Sequence, residues 1–167
     1  AGTGKTTTIL EGIRHAPSDA TPLLCAFNHR IAKTLRERLD HPRAVAQTLH
    51  ALGFSLARRM WGNLDVDDYG RPRRLTESVT PSATREQRML VTRLHTKVRE
   101  VLPYATTTRE IEPLAWAFDC LPRMGGEFDA DLRRLLAWTL RAVKAAEARP
   151  ADGKIDYADM IFLPLVH

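Results

Sequence analysis

Cysteine is scarce in this 167-residue sequence: Cys25 and Cys120 are the two present, far apart and in no CxxC arrangement. That spacing excludes a disulfide framework and leads us to expect reduced, buried thiols in an intracellular, cytoplasmic compartment. Long hydrophobic runs are lacking too. No stretch approaches the roughly 18 apolar residues that a spanning helix needs, so no membrane partner is expected. The ten prolines and nine glycines are scattered as punctuation rather than gathered into low-complexity tracts or repeats. Six histidines show neither HExxH nor clustered metal-ligand spacing. An initiator Met is missing as well, and the chain is read as a piece whose true N-terminus lies upstream.

What remains is a globular balance, with 44% hydrophobic and 27% charged residues. The net charge is +5, carried mostly by arginine, and it favours an acidic partner such as nucleic acid.

The most informative segment comes first. Ala1-Gly2-Thr3-Gly4-Lys5-Thr6 is the back half of a GxxxxGK[ST] phosphate-binding loop. Gly2 and Gly4 allow the turn that points successive N–H groups at phosphate oxygens. Lys5 supplies a point charge to the β- and γ-phosphates, and the Thr6 hydroxyl completes the shell of a Mg²⁺ ion. ATP and Mg²⁺ are therefore the expected ligands, held by residues 1–7 with Thr7 closing the loop. A helix over 5–15, with Ile9, Leu10 and Ile13 at helical spacing, aims its positive end at the same phosphates.

Downstream, residues 22–27 read as a buried parallel strand, and Asn28 as the N-cap of a helix on which Ile31, Leu35 and Leu39 repeat. Residues 44–47 make a second short strand. Thr48 opens another helix, with Leu49, Leu52, Leu56 and Met60 facing a core. Residues 62–80, including Arg71-Pro72-Arg73-Arg74, read as a polar loop. Helical patterns follow over 82–102, 108–121 and 129–147. The first lines up Gln87, Leu90, Val91, Leu94, Val98, Val101 and Leu102, while Trp116 and Trp138 are expected in the core.

The order of these pieces resembles the UvrD/Rep type of superfamily 1 DNA helicases. The resemblance rests on the opening loop, on Leu23-Leu24-Cys25-Ala26-Phe27-Asn28, on Thr48-Leu49-His50-Ala51-Leu52-Gly53, and on the segment from Ile155 to Leu165. It implies an α/β fold: an incomplete RecA-like P-loop lobe with few parallel strands and an all-helical insertion. Residues 1–61 would begin the lobe, 62–153 form the insertion, and 154–167 return to the lobe ahead of an Asp-Glu-x-x-Asp motif that lies beyond His167. The implied activity is ATP hydrolysis coupled to movement along single-stranded DNA, also at a duplex junction. Lys5 and Thr6 would serve catalysis, and Phe27, Asn28, His29, Thr48 and His50 would line the DNA track. His29 stands where many relatives carry Lys, and Leu49 where Phe is frequent. Without the carboxylates of the missing motif, this piece alone is expected to be inactive. A P-loop ATPase or kinase that does not act on DNA, and a non-catalytic nucleic-acid-binding module, are the alternatives.

Overall fold

A computed structural model describes residues 4–122 and 127–167; the expected ligands Ala1, Gly2 and Thr3 lie outside them. The described residues are mostly helical with a few short parallel strands. They fall into two compact units that divide at 52/53.

The first unit holds α1 (Lys5–Arg14), β1 (Leu23–Ala26), α2 (His29–Arg38), β2 (Val45–Thr48) and the opening of α3 (Leu49–Trp61). Strands β1 and β2 pair in parallel, with Leu23 opposite Val45 and Ala26 opposite Thr48. Parallel neighbours require a crossover, and α2 supplies it. Alternation along the strands sends Leu24, Ala26 and Ala46 into a small core with Leu10, Ala32 and Leu35. The loops at the other end are pinned by Arg43, which donates to the Asp19 carbonyl at 3.0 Å. Several expected core positions prove exposed: Ile9 on α1, Ile31 on α2 and Leu49 on α3. Cys25 is exposed too, because it alternates onto the outer face of β1; only Cys120 is buried.

The second unit contains the rest of α3, β3 (Asp65–Val66), α4 (Gly70–Val79), α5 (Arg85–Val101), α6 (Thr108–Ala117), α7 (Phe128–Ala146), β4 (Lys154–Ile155) and α8 (Tyr157–Val166). Its core is built mainly from Val91, Leu94 and Val98 of α5, Ile111 and Ala115 of α6, and Leu135, Leu136 and Val143 of α7, with Phe162 and Leu163 of α8. Compactness thus draws its boundary elsewhere than the 61/62 and 153/154 divisions expected from sequence. Residues 154–167 sit in this unit because β4 pairs with β3 and α8 packs on α5.

Four expectations are corrected here. The segment read as a loop contains α4, which buries Arg71, Pro72, Leu75 and Thr76. Pro72 is tolerated because it lies in the first turn, where the N–H that proline lacks would have had no intrahelical acceptor. On α3 the buried positions are Gly53 and Ala57, while Met60 is exposed. On α5, Val101 is exposed, and the buried stripe instead takes in His95 and Arg99. Trp138 is in the core as expected, but Trp116 is exposed, with its ring 6.1 Å from that of Phe128.

Polar side chains join the second unit internally. Arg99 donates to Asp156 and Asp159, and Arg71 donates to Asp159 at 3.0 Å and to the Ala146 carbonyl at 3.2 Å. Two guanidinium groups thus meet two carboxylates with no net charge. Burial opposes the charge on Arg99, but Asp156 and Asp159 outweigh it and hold its pKa above the ordinary value.

Candidate nucleotide and nucleic-acid site

The first helix begins, like α4 and α7, without a side-chain cap, but alone among these three it has a glycine at the N-cap. Asn28, Thr84, Thr107 and Asp156 each cap their helix with a side-chain oxygen, whereas α1 opens on Gly4 with no side-chain cap. Gly4 takes a left-handed conformation, with φ 71°, which a residue bearing Cβ adopts only under strain. The first helical bond runs from the Thr8 N–H to the Gly4 carbonyl at 2.9 Å. The N–H groups of Lys5, Thr6 and Thr7 therefore precede the intrahelical ladder. Gly4, Lys5, Thr6 and Thr7 are all exposed, and the first turn contains no acidic residue. Three amides, a helix dipole and an ammonium group gather at one exposed helix start, and these residues fit the phosphates of a nucleotide.

The second group of residues is gathered by topology. Because Ala26 pairs with Thr48, the carboxyl ends of β1 and β2 lie side by side. Phe27 follows β1 directly and is 93% exposed, so it takes no part in the core of this unit. The Asn28 side-chain oxygen accepts from the Ile31 N–H at 2.9 Å and starts α2; His29 is the exposed first residue of that helix. Thr48 is the last residue of β2, and its hydroxyl accepts from the Ala51 N–H at 3.1 Å, which turns the chain into α3. His50 sits exposed in the first turn of α3. Two helix N-termini thus open at the same sheet edge, where open α/β sheets place their ligands. The structure collects Phe27, Asn28, His29, Thr48 and His50 on that edge, although 23 positions separate the first from the last.

Sequence reasoning missed the second unit's charged cluster. Asp156 was legible only as part of an apolar return segment, and the S/T/D-x-x-D/E spacing of Asp156 and Asp159 would have signalled the capping box that begins α8. No described helix is long and apolar enough to cross a membrane.

No curated protein matches the chain. A protein-family model described as an AAA domain matches residues 1–155, nearly the whole chain. That family occurs in helicase-like proteins and related P-loop ATPases, so the open α1 terminus and the parallel βαβ unit read as part of a RecA-like nucleotide-binding fold. The chain belongs to this AAA domain family, and its class is that of nucleotide-binding ATPases of the helicase type.

Proposed function

We propose that the chain is part of an ATP-dependent DNA helicase or translocase of UvrD/Rep type, which couples ATP hydrolysis to movement along single-stranded DNA. The observation that carries this reading is the row of side chains, exposed except for the half-buried Thr48, at the carboxyl edge of β1 and β2, in the same unit as the open terminus of α1. An anion site alone fits any nucleotide-binding protein. An exposed aromatic ring flanked by amide, hydroxyl and imidazole groups fits bases and phosphates of any sequence.

In this mechanism the N–H groups of Lys5, Thr6 and Thr7 donate to phosphate oxygens, and the Lys5 ammonium adds its charge at the β- and γ-phosphates. The Thr6 hydroxyl is the group that would hold Mg²⁺, whose charge, when bound, offsets that of the phosphate oxygens. Gly4 keeps the approach to these amides free of a side chain. On the sheet edge, the Phe27 ring stacks a base. The Asn28 amide nitrogen, the Thr48 hydroxyl, His29 and His50 contact the strand beside it. Helix N-termini α2 and α3 add their positive ends to the same edge.

The test is ATP hydrolysis by the full-length protein with and without single-stranded DNA. The rate should rise strongly with DNA and collapse in Lys5→Ala. A rate indifferent to DNA would overturn the helicase reading and leave a P-loop ATPase of another kind.

A further inference from the structure

A concavity in the second unit lies apart from the nucleotide site. A groove of about 800 Å³ runs between α4 and α5 and ends against the start of α8, wholly within the second unit. Its floor is fixed by a ladder of polar contacts. The Arg88 guanidinium donates to the Thr80 carbonyl at 3.4 Å, the Thr76 and Thr92 hydroxyls meet at 2.7 Å, and His95 Nε2 lies 3.2 Å from the Pro72 carbonyl. These pairs run in opposite directions along the two helices, so α4 and α5 are antiparallel and the groove has two distinct ends.

The two ends differ in chemistry. At the amino end of α5 stand Arg85 and Arg88, and Arg85 makes no ion pair among the described residues. Among the residues lining the groove, the carboxylate at this end is Glu77, which is already engaged by Arg73. The positive end of the α5 dipole lies here as well. At the opposite end the groove is walled by Tyr69, Pro72 and Tyr157. Tyr69 is 89% exposed, and Met89, between the ends, is 66% exposed. Large apolar surfaces left in solvent beside a concavity mark a place where something docks. Methionine, flexible and polarizable, suits a surface that must fit a peptide.

We propose that this groove docks a short peptide of a partner protein, with apolar or aromatic residues at one end and carboxylates at the other. The apolar end seats between Tyr69, Pro72 and Tyr157, and the carboxylates pair with Arg85 and Arg88. Charge complementarity selects this occupant over a nucleic-acid strand. A strand carries a phosphate at every nucleotide, so it would bring negative charge to the Tyr69 end too, where Lys97 is already paired with Glu100 at 2.7 Å and Asp68 adds a further carboxylate. A peptide places its charge at one end only.

The experiment screens the 167-residue chain against an array of octapeptides bearing two apolar residues at one end and three aspartates at the other. The basic counterparts, with lysines in place of the aspartates, serve as controls, and the best binder is measured by fluorescence anisotropy. Acidic members should bind over the basic ones. Arg85→Glu and Tyr69→Ala, both at exposed positions, should each weaken binding at least tenfold while the helical circular dichroism stays unchanged. The proposal fails if no acidic member binds above its basic counterpart, or if neither substitution alters the affinity. It fails equally if a thymidine oligonucleotide binds more tightly and displaces the peptide, which would assign the groove to nucleic acid.

Discussion

Arg99 of α5 grips Asp156 at the start of α8 through two hydrogen bonds, from Nη1 to Oδ1 at 2.9 Å and from Nη2 to Oδ2 at 2.7 Å, with both side chains out of solvent. The same Asp156 oxygen that takes the first of these bonds also accepts from the Asp159 N–H at 2.7 Å and caps α8. Asp159 in turn takes Arg99 and Arg71. One cluster therefore fixes how α4, α5 and α8 meet.

Removing one partner of a buried pair leaves an uncompensated charge, which costs about 3–5 kcal/mol. Arg99→Met should destabilise the protein by that amount, because Asp156 and Asp159 would remain buried with only Arg71 against them. Urea unfolding checks this, with the exposed Arg73→Met as a control expected to change stability by less than about 0.5 kcal/mol. Equal midpoints for the two variants would show that the cluster is not a structural joint.

His95 lies one turn before Arg99 on α5. Burial first, and then the charges of Arg99 and Arg71, lower its pKa from 6.5 to about 3. The folded protein therefore keeps a neutral imidazole at pH values where the unfolded chain is protonated. Between these two pH values the unfolded state binds the extra proton, so stability falls as pH falls, by up to about 1.4 kcal/mol per pH unit. Carboxylates titrate in the lower part of this window, so the useful quantity is the difference from His95→Gln. That variant should lose less stability than the parent between pH 7.5 and pH 5. Parallel pH profiles would mean that His95 is protonated in the fold.

At Gly53 an added Cβ would overlap the Met160 carbonyl, which belongs to the backbone of α8 and cannot swing aside. Glycine at this position lets α3 and α8 approach closely. Gly53→Ala should cost about 1–3 kcal/mol or more, despite the better helix propensity of alanine. Thermal unfolding measures it, and a stabilised variant would mean the helices have room to part.

Local pattern made much of this legible. The open start of α1, the Asn28 cap, the crossover between β1 and β2, and the helical patterns of α5, α6 and α7 each depend on residues within a few positions of one another. Helix α4 was hidden for the opposite reason. Its buried face is led by Arg71, and what makes that burial tolerable is Asp159, 88 residues away. No periodicity of apolar residues reveals such a face. The small residues Ala32, Gly53 and Ala57 take buried positions that larger neighbours seemed to claim, because close approach of elements favours small side chains over bulk. The candidate DNA residues were legible as motifs, but their meeting at one edge follows only from the register of β1 and β2.

Phe27 and Asn28 are adjacent in sequence and should separate cleanly in experiment. Phe27 is almost wholly in solvent, so Phe27→Ala has little packing to lose and should leave stability within about 0.5 kcal/mol. If its ring stacks a base, the same change should weaken binding of single-stranded DNA by about 1–3 kcal/mol, roughly five- to 150-fold. Asn28→Ala removes the oxygen that caps α2 and should cost about 1 kcal/mol of stability. Its effect on DNA binding should be the smaller of the two. Chemical denaturation and oligonucleotide anisotropy on the same pair of variants read both quantities. Should Phe27→Ala bind DNA like the parent protein, the sheet edge would lose its stacking platform, and the DNA track would have to be sought elsewhere.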